Sequence, residues 1–245
     1  MIDIGRAIQH PFQDQNWLTK LGIGALVNAI PILNFAGYGY MLEHLRNTEK
    51  GLDVPMPEWG DNFGDKFVEG LKYIVVIFIY SLPIILLSCV FTVLAGGLAA
   101  VTDGNSNASD AAGAGIGVLS LALTCLVFLY ALGLTVLLPA ITMMYARTRN
   151  IAACLRVGEV FGFVRKNTGD YLVIFLVLIG VNLALSAIAG VLAVTVIGLC
   201  LAIPLAIVSL PYFNVLAGHL CGQYVRGEPL PVASPPAPSA PLTPQ

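Results

Sequence analysis

Long stretches without a charged residue constrain this chain more than any other feature. No Lys, Arg, Asp or Glu falls within residues 73–101, 111–146, 171–192 or 193–225. About 20 consecutive apolar residues are enough for a helix to cross a bilayer, and a charged side chain at mid-membrane costs several kcal/mol. The pattern therefore predicts an all-α fold, a polytopic transmembrane helical bundle with four full spans.

The composition agrees with this class. The 245 residues are 57% hydrophobic and only 11% charged, whereas soluble domains carry about 25% charged residues. The net charge of −2 leaves no basic surface for phosphate contacts, so nucleic acid is excluded as a partner. The five cysteines form no CxxC pair and are predicted to be free packing residues.

We predict one helical membrane domain over residues 1–226. Its apolar segments are expected at about 17–45, 73–101, 111–146, 171–192 and 196–225. Apolar residues at a spacing of four predict interfacial amphipathic helices at about 61–72 and 150–166. Residues 227–245 hold seven prolines and are predicted to form an extended, disordered tail.

The first apolar segment is the most ambiguous. Pro31 interrupts it, and proline removes a backbone donor and clashes with the preceding turn. We favour a broken or re-entrant helix over residues 17–45, while a single crossing stays open because the 22 apolar residues 21–42 suffice to span. Further helix breaks are predicted at Pro139 and Pro211. The recurring order of amphipathic stretch, apolar sequence and proline suggests three units, each a short helix followed by a hairpin.

Basic residues indicate the orientation. Ten of them lie in the connections 43–72 and 147–170 or directly after the last span. By the positive-inside rule these connections and the C-terminus are predicted to be cytoplasmic, with the protein in the cell membrane. Within 43–72 the acidic side chains are expected to be solvated, and Trp59 is expected to anchor at the membrane interface.

Several motifs are typical of one family. They are DIGRA at 3–7, HPFQDQNWL at 10–18, IPILNF at 30–35, LRN at 45–47, PxPEW at 55–59 and FxxGLK at 67–72. With these motifs the chain resembles the prokaryotic multi-pass membrane family known as domain of unknown function 4013. The resemblance covers about residues 1–225 and is densest over 3–72. It implies a bacterial or archaeal membrane protein without an assigned activity, and it transfers no catalytic residues.

A few polar side chains at membrane depth are the candidate site residues. They are Asn28, Asn34, Asn182, Asn214 and His219. Such residues either line a small site or form hydrogen bonds between helices. His44 and His219 are candidates for metal binding or proton transfer, but two histidines without a third ligand do not define a metal site. We therefore predict no metal, no cofactor and no catalytic residue.

The absence of motifs shapes the functional hypotheses. The sequence holds no Walker loop, nucleophile elbow or zinc signature, which argues against an enzyme. No ionisable residue lies at mid-membrane, which argues against an ion-coupled carrier. We expect a non-catalytic domain that acts as a scaffold, binds partners or binds lipid. The alternative is a small-solute or lipid transporter that is not driven by ion coupling. The expected partner is membrane lipid, and other membrane proteins or a second copy are further candidates.

Overall fold

The structure, a computed structural model, describes residues 2–52, 55–102 and 106–226. Within these ranges the chain forms nine α-helices and one 3₁₀ turn, without a β-strand. The helices are α1 (Ile4–Gln9), α2 (Trp17–Ala29), α3 (Asn34–Glu49), α4 (Phe63–Thr102), α5 (Ser106–Thr148), α6 (Ile151–Cys154), α7 (Val157–Lys166), α8 (Thr168–Ala193) and α9 (Val196–Val225). The 3₁₀ turn, His10–Gln13, follows α1. The predicted Pro-rich tail lies outside the described residues.

Within the described part of the chain, four helices are long and apolar enough to cross a membrane: α4, α5, α8 and α9. The shortest, α8, has 26 residues, and at 1.5 Å per residue it is about 39 Å long. This exceeds the hydrocarbon thickness of about 30 Å, and α4 and α5 are longer still, with 40 and 43 residues. The predicted class, an all-α polytopic bundle with four spans, is confirmed.

The two predicted interfacial helices have different outcomes. Residues 63–72 do not form a helix of their own but the first turns of α4, whose helical hydrogen bonding continues without interruption into the span. The charged turns of α4 therefore extend the span beyond its apolar part. In the second region, α6 and the amphipathic α7 are separate short helices that precede α8.

The first apolar segment is broken at the predicted proline. Helix α2 ends at Ala29, Ile30 takes an extended conformation, and α3 begins only at Asn34. Neither helix is among the four candidate spans. Gly37 of α3 lies against the Asn28 side chain of α2, and Leu21 shares a cluster with Tyr40. The chain thus turns back on itself in a short hairpin, with α2 and α3 both packed against α9.

The other two predicted breaks lie inside continuous helices, Pro139 in α5 and Pro211 in α9. At Pro139 a tyrosine compensates for the disturbed backbone: the Tyr171 hydroxyl of α8 donates to Val136 O and accepts from Ala140 N at 3.2 Å. The hydroxyl thus lies between Val136 O and Ala140 N, which would form a direct hydrogen bond in a regular α-helix. A neighbouring span can satisfy the backbone in this way, so the proline does not end the helix.

A buried ion-pair network attaches the α2–α3 hairpin to the connection that follows it. The Lys20 ammonium lies 2.9 Å from Asp14 Oδ2 and 2.7 Å from Glu58 Oε1, and it also donates to Met56 O at 2.7 Å. Asp14 accepts in addition from the backbone N–H groups of Asn16 and Met56, both at 2.8 Å. The side chains of Lys20 and Asp14 are each only 3% exposed. The charges of Lys20 and Asp14 therefore form an ion pair inside the protein.

Trp59 differs from its predicted position at the membrane interface. Its ring is buried and stacks on Tyr40 at a centroid distance of 4.3 Å. Its indole N–H donates to Lys20 O at 2.8 Å, and Tyr40 donates to Pro57 O at 2.9 Å. Both polar ends are therefore satisfied inside the fold, so Trp59 joins the connection to the hairpin and does not face lipid headgroups.

Candidate functional site

Burial is concentrated at one end of the bundle. The main buried cluster combines residues of α3 with the first apolar turns of α4 and the last turns of α5 and α9, among them Leu42, Val76, Tyr145 and Leu220. In the most apolar 18-residue windows of α4, α5 and α8, only 6%, 0% and 6% of residues are buried, against 28% in α9. The rest of the described chain therefore leaves most of the surface of the spans uncovered.

A cavity of about 440 Å³ lies where two long hairpins, α4–α5 and α8–α9, meet α3. Residues of five helices line it, mostly with apolar side chains. Its lining includes Tyr38, Met41, Tyr73, Ile74, Ile77, Leu138, Pro139, Phe175, Leu178, Ile179, Leu183, Phe213, Ala217 and Cys221. Its volume lies in the range of small-molecule binding pockets, about 300–1,000 Å³.

Few polar groups reach this cavity. The polar residues of its lining are Asn182 of α8, Asn214 of α9, and Thr135 and Thr142 of α5. Thr142 is already engaged, because its hydroxyl pairs with that of Tyr73 at 2.8 Å and donates to Leu138 O at 2.8 Å. An apolar cavity with two amides suits a long hydrocarbon ligand that carries a hydrogen-bonding group.

The structure separates the five polar residues selected from the sequence. Asn182 and Asn214 line the cavity. Asn28 lies elsewhere, with its Nδ2 donating to Gly24 O at 2.8 Å in the α2–α3 hairpin, and Asn34 is the first residue of α3. His219 is fully buried beside two other histidines. One pair of asparagines therefore belongs to the candidate site, and the other pair to the hairpin.

Sequence reasoning missed the aromatic side of the cavity, formed by Tyr38, Tyr73 and Phe213. Nothing in their local pattern distinguishes them from aromatic residues that face lipid. It also missed His10, which the structure places against His44 and His219. A sequence signal was present, because the chain has only three histidines and His10 is the third. The structure then shows that all three are fully buried.

The histidine cluster, defined as His10, His44 and His219, is compact. The ring centroids are 4.9 Å apart for His10 and His44, 4.2 Å for His10 and His219, and 5.9 Å for His44 and His219. One nitrogen of each ring lies within 4.8 Å of one nitrogen of each other ring. Burial lowers the pKa of His44, and its two histidine neighbours lower that pKa further. His44 is therefore neutral at pH 7.

A second, charged cavity of about 370 Å³ lies at the same end of the bundle. It is lined by Glu43, Arg46, Asn47, Lys50, Asn62, Asp65, Lys66, Val68, Glu69, Lys72 and Arg149. Within it Lys66 pairs with Glu43 at 3.0 Å, and Arg46 lies 3.7 Å from Glu69. Basic residues of both long connections, Lys50 and Arg149 for example, therefore gather on one side of the spans.

Four apolar spans, a hairpin broken at Pro31 and charges collected at one end define a polytopic α-helical membrane protein. The chain belongs to the family described as Protein of unknown function (DUF4013), whose profile matches residues 23–194. The resemblance found in the sequence motifs is thereby confirmed. No curated protein and no solved structure matches the chain.

Proposed function

We propose that this protein is a non-catalytic lipid-binding membrane domain that holds an acyl chain in the cavity between its hairpins. The observation that carries the proposal is the cavity of about 440 Å³ with its largely apolar lining. The cavity lies among spans whose surfaces are mostly uncovered by protein. An acyl chain is the most abundant apolar group at that depth, and it gains contacts in a cavity that water would fill poorly.

The two amides give the proposed ligand an orientation. Asn182 and Asn214 can each donate through the amide nitrogen and accept through the amide oxygen. A lipid ester or hydroxyl group beside them would satisfy groups that hydrocarbon leaves unsatisfied. The bound lipid would thus lie with its polar part near Asn182 and Asn214 and its chain against the apolar lining of α4, α5 and α8.

The main alternative is a facilitator that moves a lipid or small solute without ion coupling. The same cavity supports it. Pro139 lies at the cavity wall, and beside it the α5 backbone is hydrogen-bonded by the Tyr171 hydroxyl of α8. Binding and transport predict different results: a facilitator transfers its ligand between leaflets, whereas a binding domain retains it. A scaffold that packs with other membrane proteins or with itself would use the exposed spans instead.

Photo-crosslinking tests the lipid proposal. The full chain, incorporated into vesicles with a phospholipid carrying a diazirine in its acyl chain, is irradiated and its labelled peptides are identified by mass spectrometry. We expect labels to concentrate on cavity residues such as Phe213 and Ile179. Leu183→Trp places an indole ring at the cavity wall. It should reduce this labelling about fivefold, because the larger side chain occupies part of the cavity volume.

Leu176→Trp is the matched control. Leu176 and Leu183 are similarly exposed on α8, at 57% and 62%, but Leu176 does not line the cavity. Labelling in this variant should stay unchanged. Even labelling of all exposed span residues would show that lipid only surrounds the protein and would overturn the proposal. Accelerated exchange of a fluorescent lipid between leaflets would favour the facilitator.

We also propose that the protein lies in the cell membrane of a prokaryote with the charged end and the C-terminus in the cytoplasm. Support comes from one charged cavity, whose lining combines four basic residues of the first connection with Arg149 of the second. In a cysteine-free background, Ser106→Cys should react with a membrane-impermeant maleimide in intact cells. Thr168→Cys, at an exposed position, should react only after permeabilisation. The opposite labelling pattern would reverse the orientation.

A further inference from the structure

The histidine cluster joins three parts of the chain that are far apart in sequence. His10 lies in the 3₁₀ turn, His44 in α3 and His219 near the end of α9. All three rings are fully buried. For His44, neither ring nitrogen has a hydrogen-bond partner among the described residues. Burying a polar group without a partner is unfavourable, so this place in the core calls for a ligand that binds imidazole nitrogen.

Each histidine is held in place by its surroundings. Thr48 Oγ1 lies 3.5 Å from His219 Nδ1, so a metal ion at this ring would bind its other nitrogen, Nε2. Metal-binding histidines typically have such a polar partner on their second nitrogen, which fixes the tautomer and the ring orientation. His44 faces Gly218 of α9, where an added Cβ would lie 3.4 Å from His44 Cδ2. The close contact between α3 and α9 therefore brings the rings of His44 and His219 together.

The N-terminal segment that precedes His10 is attached to α9 on both sides of His219. Asp3 N donates to Gln223 Oε1 at 2.8 Å, and Gln223 Nε2 donates to Asp3 O at 3.3 Å. At the other end of α1, the Tyr212 hydroxyl donates to Ile8 O at 3.3 Å. These contacts lie one turn after His219 and two turns before it. They place His10 over the same stretch of α9 without a contribution from the imidazole itself.

We propose that His10, His44 and His219 bind one divalent transition-metal ion, with Zn²⁺ as the preferred ion. Three imidazole ligands with a fourth position left for water or a small anion form an established type of zinc site. With Zn–N bonds of about 2.0–2.1 Å, tetrahedral ligand nitrogens lie about 3.4 Å apart. The present nitrogens lie within 4.8 Å of one another, so ion binding would draw them together and rotate the rings out of their stacked arrangement. The ion would link the N-terminal turn, α3 and α9.

A simpler explanation is a stack of three imidazole rings without an ion. The interplanar angles of 17°, 18° and 23° are those of stacked rings, and stacking alone requires no ion. The two explanations differ in whether the ring nitrogens are required. A stack needs only flat rings, whereas a metal site needs the imidazole nitrogens as ligands. His44→Phe keeps a ring at this position and removes both nitrogens, so it separates the two.

The test uses the full chain, purified in detergent through a tag without histidines, stripped with a chelator and then titrated with Zn²⁺. We expect one Zn²⁺ per chain by elemental analysis and a rise in the thermal unfolding temperature. His10→Gln, His44→Phe and His219→Gln should each weaken binding by at least about 100-fold, and Thr48→Val by about 10-fold. Cys221→Ala is the matched control, because this buried thiol lies two residues from His219, and binding should not change.

Co²⁺ provides a readout that needs no variant. Bound in place of Zn²⁺ by three nitrogens and one oxygen, it should give the intense visible absorption of tetrahedral cobalt, which Zn²⁺ should displace. Less than about 0.1 ion per chain together with no cobalt spectrum would overturn the proposal in favour of the ring stack. Unchanged Zn²⁺ affinity in all three histidine variants would overturn it as well.

Discussion

Replacing Lys20 with methionine is expected to lower the free energy of unfolding by about 3–5 kcal/mol, because it leaves the Asp14 carboxylate buried without its cation. Both side chains are 3% exposed and lie 2.9 Å apart, so water cannot replace the lost partner. SDS-induced unfolding of the purified protein in detergent micelles, followed by tryptophan fluorescence, measures the change.

The control for this prediction is Glu58→Gln. Glu58 also contacts Lys20, at 2.7 Å, but its side chain is 55% exposed, and ion pairs that water reaches contribute about 0–1 kcal/mol. The loss should therefore be under about 1 kcal/mol. If Glu58→Gln were as destabilising as Lys20→Met, the buried pair would not be the main contribution. The double variant Asp14→Leu/Lys20→Met should lose less than the sum of its single changes, since it leaves no unpaired charge.

The same pair predicts how stability depends on pH. Burial by itself would raise the pKa of Asp14, but hydrogen bonds from Lys20, Asn16 N–H and Met56 N–H lower it below the ordinary value. A carboxylate with a lowered pKa stabilises the fold above its unfolded pKa, about 3.9, and this contribution is lost as pH falls through the folded value. The difference between wild type and Lys20→Met should thus be constant near neutral pH and shrink below about pH 4.

Placing a methyl group on Gly39 is expected to lower the free energy of unfolding by about 3 kcal/mol or more, beyond the usual range for an overpacked side chain. Helices α3 and α4 cross so closely that a Cβ on Gly39 would overlap the carbonyl oxygen of Lys66, and one on Gly70 would overlap that of Phe35. Backbone atoms cannot rotate away as a side chain can, so the two helices must separate. Gly39→Ala and Gly70→Ala should each show the loss by SDS unfolding.

Gly64→Ala is the matched control on α4, since nothing lies within 4 Å of the position its Cβ would take. Alanine favours the helix over glycine by about 0.5–1 kcal/mol, so this variant should be as stable as the wild type or slightly more stable. Wild-type stability of Gly39→Ala would show that α3 and α4 lie further apart than the structure has them.

Local sequence was sufficient for the four spans and for the break at Pro31. A helix in hydrocarbon must satisfy its own backbone and exclude charge, so a charge-free window identifies it without knowledge of any neighbour. Proline acts on the turn that precedes it, which is again a local effect. The separate interfacial helix predicted near 61–72 was wrong because the same helical backbone continues into the span as α4.

Breaks at Pro139 and Pro211 could not be judged from the sequence in the same way. Whether a proline interrupts a helix depends on what satisfies the freed backbone, and at Pro139 this is the hydroxyl of Tyr171, a residue of another helix. The position of Trp59 depended on distant residues as well, because Tyr40 and Lys20 O form its environment.

The sequence by itself determined the class of this protein, because lipid acts on each span through local composition alone. Only the tertiary structure decided its candidate sites. Asn182 and Asn214 come from different helices to one cavity, while His10, His44 and His219 converge from the two ends of the chain. Such convergence depends on how helices cross, and the small residues that allow it, such as Gly39 and Gly218, show their role only when the opposing backbone is present.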